Sequence, residues 1–368
     1  MHMPPLQYDC VSCGKSCTDF QVEISPRDIP RIEKSASTEA LVKEGFTPLR
    51  VTDEGVYVAK AGNGNCCYLD EESLCALHRE GGFAHKPTTC QTFPFAPVGT
   101  PDGVFLGLSF YCTAVARSSG RPLEGREADL SYLLSLPECE DVAADSQWSL
   151  WGEQAVDWAN YLQIEGFCRS GLGTHPRYGL LQTVWRLAMA ITRGDMSYLA
   201  RPLPIHHEEL EALQLFSRKL IPVMESSDKA VSAGISRAIS NDEGFDSPAL
   251  GKHVFLTSPP DEYPEWFEKE LTRYLDHVLF RKSLLKAPNV LSRLCLLVAA
   301  EELLATYAFS HAQLRGSELE PEDFYKAVGV VEGRLMLHAN GLELAIQTWA
   351  ECFVEMLQGL DTKSTTPI

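Results

Sequence analysis

Beyond residue 120 apolar side chains recur at three- and four-residue intervals almost without pause, the period of helices that bury one face. The pattern predicts helices from Leu150 to Phe167, Leu180 to Thr192, Glu208 to Glu225 and Lys229 to Ser240. Stronger ones follow. Pro264 to Arg281 aligns Trp266, Leu271, Leu275, Val278 and Leu279, and Val290 to Phe309 and Phe324 to Phe353 come next, the last broken near Asn340-Gly341. Before residue 118 the pattern is shorter and mixed. Ser25-Pro26-Arg27-Asp28 reads as the cap and first turn of a helix running to about Glu33, and Thr38 to Phe46 as a second. Leu49 to Thr52 and Val56 to Ala59 flank Asp53-Glu54-Gly55, a hairpin signature; a second hairpin is expected around Gly99 to Gly103, with Val104 to Cys112 returning. Composition changes at Ser118-Ser119-Gly120-Arg121-Pro122, a linker signal. The expected fold class is therefore α+β: a small cysteine-rich α+β domain over 1–118, then a larger all-helical domain over 119–368.

Charge narrows the classes of partner. Fifty acidic against 32 basic side chains give a net charge of −18. Such a surface repels phosphate backbones, so no nucleic-acid partner is expected. It suits a lysine-rich protein segment, or simply keeps the chain soluble. The most apolar stretch, Leu291 to Phe309, is interrupted by Arg293, Glu301 and Glu302, so no membrane span is expected. Met1-His2-Met3-Pro4-Pro5-Leu6 has neither the basic nor the apolar part of a secretory signal. A cytoplasmic, reducing location follows as the expectation, and there clustered cysteines bind metal more often than they form structural disulfides.

The cysteines are far from evenly spread. Eight of twelve fall before residue 113: Cys10, Cys13, Cys17, Cys66, Cys67, Cys75, Cys90 and Cys112. These eight are the candidate metal ligands. A C-x2-C spacing lets a tight turn deliver two sulfurs to one ion, and Gly14 after Cys13 suits that turn. Cys10-x2-Cys13-x3-Cys17 matches part of a bacterial ferredoxin run, which permits an iron–sulfur cluster. It reverses the C-x3-C-x2-C order of radical S-adenosylmethionine enzymes. Zinc would take the same thiolates, and spacing does not separate the two metals. Four ligands complete one tetrahedral zinc or one 4Fe–4S cluster, so eight thiols imply two sites, or one site with thiols to spare. His78, three residues after Cys75, is a further possible ligand, though a lone histidine is more often an ordinary surface residue.

Four ordered motifs carry a resemblance. Cys10-Val11-Ser12-Cys13-Gly14-Lys15-Ser16-Cys17 resembles C-x2-C-G-x-C-C, and Cys66-Cys67-Tyr68-Leu69-Asp70 resembles C-x-F/Y-L-D. Cys75-Ala76-Leu77-His78 resembles C-x-I/V-Y, and Lys86-Pro87-Thr88-Thr89-Cys90-Gln91-Thr92-Phe93-Pro94 resembles R-P-x2-C-R-x-F/Y-P. Together they are similar to the cysteine-cluster family named for its CxxCxxCC motif, a zinc- or iron-chelating family that includes flagellin lysine N-methylases. This chain departs from the pattern at Ser16, His78, Lys86 and Gln91, and Cys67 is an extra thiol that could replace the one missing at position 16.

The resemblance implies a zinc ion or iron–sulfur cluster as cofactor. At its furthest it implies methyl transfer from S-adenosylmethionine to a protein lysine. No G-x-G-x-x-G follows a strand, so a Rossmann-type methyltransferase is not expected, and no catalytic base is assigned. Two other functions use the same residues: a zinc-stabilised interaction scaffold, and a redox or electron-transfer protein. The remaining features have plainer readings. Trp148, Trp151 and Trp158 are expected to be packing residues, His206-His207 a solvated loop pair, and Cys139, Cys168, Cys295 and Cys352 buried free thiols.

Overall fold

A computed structural model describes residues 1–135, 140–141, 147–174, 176–201, 207–256, 259–260, 262–337 and 341–364. The chain divides into two compact units, Met1–Asp141 and Val142–Ile368. The fold is α+β, with small sheets and a mainly helical carboxy-terminal part.

In the first unit, short elements succeed one another: α1 (Lys15–Asp19), α2 (Ile29–Glu33), α3 (Ala36–Lys43), β1 (Leu49–Thr52), β2 (Gly55–Val58), α4 (Ala76–Gly81) and α5 (Thr88–Thr92). Then come β3 (Phe95–Thr100), β4 (Gly103–Leu108), α6 (Thr113–Ala116), α7 (Glu127–Leu130) and β5 (Glu140–Asp141). Both expected hairpins form. β1 pairs antiparallel with β2 from Leu49↔Val58 to Thr52↔Gly55, and β3 with β4 from Phe95↔Leu108 to Thr100↔Gly103. The expected strand to Cys112 stops at Leu108, because Cys112 instead sits at the amino end of α6. Ser35 caps α3 by accepting from the Thr38 amide, which starts that helix earlier than its apolar pattern predicts. Val22 and Ile24 lie along β2 and, with Ile32, Val58, Tyr68 and Leu77, make a buried apolar cluster.

Residues after 118 stay with this unit. Tyr8 and Asp9 donate their amides to the carbonyls of Arg121 and Ser119, both at 3.0 Å, and the Leu123 amide bonds Leu6 at 3.0 Å. A Cβ at Gly120 would meet the Asp9 amide nitrogen at 2.2 Å, and Gly120 has φ +116°, so only glycine fits this close approach.

The second unit begins with a hairpin, β6 (Trp148–Trp151) and β7 (Gln154–Val156), then α8 (Trp158–Thr174), α9 (Pro176–Arg193), α10 (His207–Ser217), α11 (Ile221–Glu225) and α12 (Lys229–Ser240). A further hairpin, β8 (Phe245–Ser247) and β9 (Lys252–Val254), precedes α13 (Glu265–Phe280), α14 (Val290–Arg315), α15 (Pro321–Val331) and α16 (Glu343–Ser364). This unit is mainly helical as expected, and it also holds two short hairpins. The predicted Leu150–Phe167 helix starts only at Trp158, because Gly152, at φ +57°, turns the chain back on itself. The predicted Glu208–Glu225 helix breaks after Ser217 into a 3-10 turn before Pro222 restarts it. His206 and Cys139 lie outside the described residues, and His207 opens α10.

Helix α14 is the axis of this unit, buried over most of its 26 residues. Asn289 caps it by accepting from the Ser292 amide at 2.8 Å, and Gly316 ends it in the left-handed conformation. The two glutamates that interrupt its apolar run are buried with hydrogen-bond partners. Glu301 accepts from Tyr263 OH at 3.0 Å, and Glu302 accepts from Arg218 at 2.8 Å. No helix among the described residues is long and apolar enough to cross a membrane. Trp158 packs against Trp148 and stacks on Tyr161, as packing residues should. Cys168 and Cys295 are buried; Cys352 is exposed on α16, a correction to the expectation that it is buried.

Candidate metal centre

Three separate stretches deliver cysteines to the apolar cluster of the first unit. Cys66, Cys67, Cys75 and Cys90 pack against Val22, Ile24, Ile32, Val58, Tyr68 and Leu77. Cys17 joins through the backbone, its carbonyl accepting from the Cys66 amide at 3.1 Å. Lys60 holds the same turn, its Nζ donating to the carbonyls of Cys17 at 2.6 Å and Thr18 at 2.8 Å. Gly14, at φ +69°, lets the Cys10–Cys17 loop fold onto the second motif, and a Cβ there would stand 3.2 Å from Leu69 Cδ2.

The second and third motifs form one tight loop. Asp70 Oδ1 accepts from the Glu72 and Leu74 amides at 3.0 and 2.8 Å, and Leu69 bridges to Cys75. That loop puts Cys75 at the amino end of α4 beside Cys66, which is the physical use of the motif aspartate. Asp70 also pairs with Arg79.

The fourth motif is clamped from a distance. Asp28 Oδ2 accepts from the Thr88 amide at 2.7 Å, and Arg31 donates to the carbonyls of Lys86, at 3.0 Å, and His85. Arg31 in turn pairs with Asp28 at 2.6 Å. Gln91 Nε2 donates to the Lys86 carbonyl at 2.7 Å, so the glutamine in place of arginine braces the same segment. Asp28, Arg31 and Lys60 were not singled out by the sequence; an acidic and a basic residue three apart at the start of α2 were the only signal.

The electrostatics reflect this crowding. Burial, then the neighbouring Cys66 and Cys75, raise the Cys17 thiol. Burial pushes Cys90 up to about 12, with Lys86 opposing and Cys66, Cys17 and Cys75 adding to the rise. Burial raises Cys75 as well. A hydrogen bond from Cys67 lowers Cys66 to about 7, and that same bond, with burial, raises Cys67. The Cys67 sulfur also lies 3.8 Å from the Pro48 carbonyl.

Cys10, Cys13 and Cys112 are not among the cysteines packed on the apolar cluster. Cys10 and Cys13 are exposed, and Cys13 Sγ donates to Thr113 Oγ1 at 3.6 Å, next to Cys112. Burial pushes Cys112 up to about 11, and the cysteines that raise it further are Cys13 and Cys10. His78 is exposed and meets Phe83 edge-on at 6.4 Å.

The donor chemistry suits a soft ion: several thiols, gathered where burial disfavours their charge unless a cation compensates it. Among the described residues no three cysteine, histidine, aspartate or glutamate side chains are already gathered as a metal ion needs them. The donor types of this neighbourhood fit a thiolate-bound metal.

The comparisons agree with the motifs. Residues 9–113 match the model of the CxxCxxCC family, described as "Putative zinc- or iron-chelating domain". Over 116 residues the chain is 25% identical to the uncharacterized protein MJ0939 of Methanocaldococcus jannaschii, a match covering 30% of this chain and 38% of that protein. No solved structure matches the chain.

Proposed function

Residues 9–113 being a CxxCxxCC-family domain, we propose that the amino-terminal unit binds zinc or an iron–sulfur cluster through Cys17, Cys66, Cys75 and Cys90. The observation that carries this reading is that Cys66, Cys75 and Cys90 pack on one apolar cluster, while Cys17 is hydrogen-bonded to Cys66 through the backbone and shares their charge. Four thiolates complete a tetrahedral site. When bound, the metal would supply the positive charge that keeps these half-buried sulfurs ionised and would tie the stretches together.

The chain's own residues prepare that arrangement. Asp28 and Arg31 hold the backbone before Cys90, Asp70 shapes the turn between Cys66 and Cys75, and Lys60 fixes the carbonyl of Cys17. Lys86 moderates the negative charge of the set, since it lowers Cys17, Cys75 and Cys90. Cys67 is bonded to Cys66 and stands as a neighbour rather than a ligand in this reading.

Elemental analysis of the anaerobically purified protein tests it. Zinc or iron bound to the wild type should be lost in Cys90→Ser. Undiminished metal in that variant would remove the ligand set, and a brown, visibly absorbing sample would identify iron–sulfur over zinc.

A finer reading comes from the resemblance to flagellin lysine N-methylases: methyl transfer from S-adenosylmethionine to a lysine of a basic protein. The net charge of −18 favours such a partner. Incubating the metal-loaded protein with labelled S-adenosylmethionine and a lysine-rich protein tests it. Absence of label in lysine would leave metal binding as the function.

A further inference from the structure

Two consecutive cations after α13 are buried, and each has its own carboxylate: Arg281 pairs with Glu332, and Lys282 with Glu165. The two are not alike. The planar fork of an arginine matches both oxygens of a carboxylate, whereas a lysine can give up its proton and become a nucleophile. Lys282 Nζ nonetheless donates to both Glu165 oxygens, at 3.0 and 2.8 Å. Its backbone is left-handed, at φ +57°. Of the five non-glycine residues with positive φ among the described residues, it is the buried one. Strain of this kind is retained where a functional side chain has to be aimed.

The ammonium is aimed at an aromatic stack. Trp158 lies on Tyr161 at 5.4 Å with the rings 20° apart, and Trp148 packs on Trp158 at 5.9 Å. Lys282 Nζ stands 5.7 Å from the centre of the Trp158 ring and 5.9 Å from that of Tyr161. Tyr161 and Glu165, four residues apart on α8, share one face of that helix. The Tyr161 hydroxyl and the indole N–H groups of Trp148 and Trp158 are buried without a hydrogen-bond partner among the described residues. Burial, then the charge of Glu165, raises the Tyr161 phenol, so it keeps its proton and remains a donor. Three donors without an acceptor suit a guest that brings one. Arg169 donates to Glu165 at 3.2 Å and pairs with Asp276, and both are partly exposed, so the cluster reaches the surface there.

We propose that Lys282 is a nucleophile, and that this site in the second unit takes a small uncharged aldehyde and holds it as an imine. Lys282 and Arg169 balance Glu165 and Asp276, which leaves no net charge for an ionic guest, and the rings give an apolar slot. Glu165 takes one proton from Nζ, and the nitrogen lone pair attacks the carbonyl carbon. The carbonyl electron pair moves to oxygen, where the Tyr161 hydroxyl donates to it, and a second Nζ proton passes to that oxygen. Glu165 then returns its proton to the new hydroxyl, water leaves, and the nitrogen lone pair closes the C=N bond. The protonated imine faces the Glu165 carboxylate as the ammonium did, so charge is conserved. Lysines activated in desolvated pockets form imines of this kind.

Reductive alkylation of the full-length protein with propionaldehyde and cyanoborohydride, read by peptide mass spectrometry, tests this. The hydride reduces the imine to a stable secondary amine and so records where it formed. With aldehyde held below one equivalent, Lys282, only 3% exposed, should be labelled before Lys43, whose side chain is 79% exposed. A lysine that is merely a buried ion-pair partner should be labelled last, so label confined to Lys43 and other surface lysines would overturn the proposal. Tyr161→Phe should slow labelling of Lys282 by about tenfold or more, at or below the low end of what one proton donor contributes, and leave Lys43 unchanged. An unchanged rate at Lys282 would overturn the part given to the hydroxyl. The labelling order in the wild type decides the main question, however well the variant folds.

Discussion

Gly179 of α9 lies directly on the Gly171 carbonyl of α8: a Cβ at Gly179 would stand 1.9 Å from that oxygen, and one at Gly171 would stand 2.6 Å from the Gly179 oxygen. The two helices therefore meet backbone to backbone. Gly179→Ala or Gly171→Ala should separate them and cost about 1–3 kcal/mol or more, the usual range for overpacking. Gly166, also within α8, has nothing within 4 Å of an added Cβ. Gly166→Ala should instead stabilise by about 0.5–1 kcal/mol through helix propensity. Denaturant unfolding of the three variants measures both signs at once.

A buried ion pair sets a second expectation. Arg281 and Glu332 are both almost wholly buried; Arg281 Nη2 donates to Glu332 at 3.0 Å, and Tyr274 OH donates to the same carboxylate at 2.8 Å. Removing one partner leaves the other charge uncompensated, so Arg281→Met should cost about 3–5 kcal/mol. Pairing it with Glu332→Leu should recover much of that loss. A double-mutant cycle followed by thermal or denaturant unfolding measures the recovery.

The pH dependence can be given its sign at Asp323. Burial alone would raise this carboxyl, but hydrogen bonds from Arg315, the Glu320 amide and His311 outweigh it and hold it below the ordinary carboxylate range. A depressed folded-state value means the stabilisation is complete above about pH 4 and is lost as pH falls through the folded value. Acid titrations of stability should show a shallower loss in Asp323→Asn than in the wild type below about pH 4.

Asp28 offers a test of indirect support for the metal. It touches no cysteine sulfur among its recorded contacts, yet it holds the Thr88 amide and pairs with Arg31, which together orient the segment carrying Cys90. Partners of this kind are commonly worth about 10–100-fold in metal affinity. Asp28→Ala should weaken binding by that order in chelator competition while leaving the number of ions per chain unchanged. Loss of the ion altogether would place Asp28 closer to the metal than its contacts do.

Local signals were read best. The Asp53-Glu54-Gly55 and Pro101-Asp102-Gly103 turns announced both hairpins, and the spacing from Lys229 to Ser240 gave that helix its limits. The motif cysteines marked the site for the same reason, because each motif is short. Errors came where apolar periodicity ran across a turn. Leu150 and Trp151 fitted a helix, but Gly152 bends them into a hairpin. Long-range relationships left no trace in spacing. Asp28 meets the Thr88 amide across sixty residues, and Asp9 meets Arg121 across 112, and neither separation shows in the local pattern. The sorting of the thiols by exposure was equally invisible, since Cys13 and Cys17 sit four apart and only packing tells them apart.

The Asp9–Arg121 staple has a bearing on how the domain is made. A nascent chain emerging from the ribosome exposes seven of the amino-terminal thiols, Cys10 to Cys90, some thirty residues or more before Arg121 appears. Until then Tyr8 and Asp9 have no partner strand, and Cys10 can swing freely away from Cys112. Release of the segment through Arg126 is therefore the moment at which the loop of cysteines is tied off at its base. Before that moment the cysteines hang on a loose tether; after it the two ends of their loop are held together.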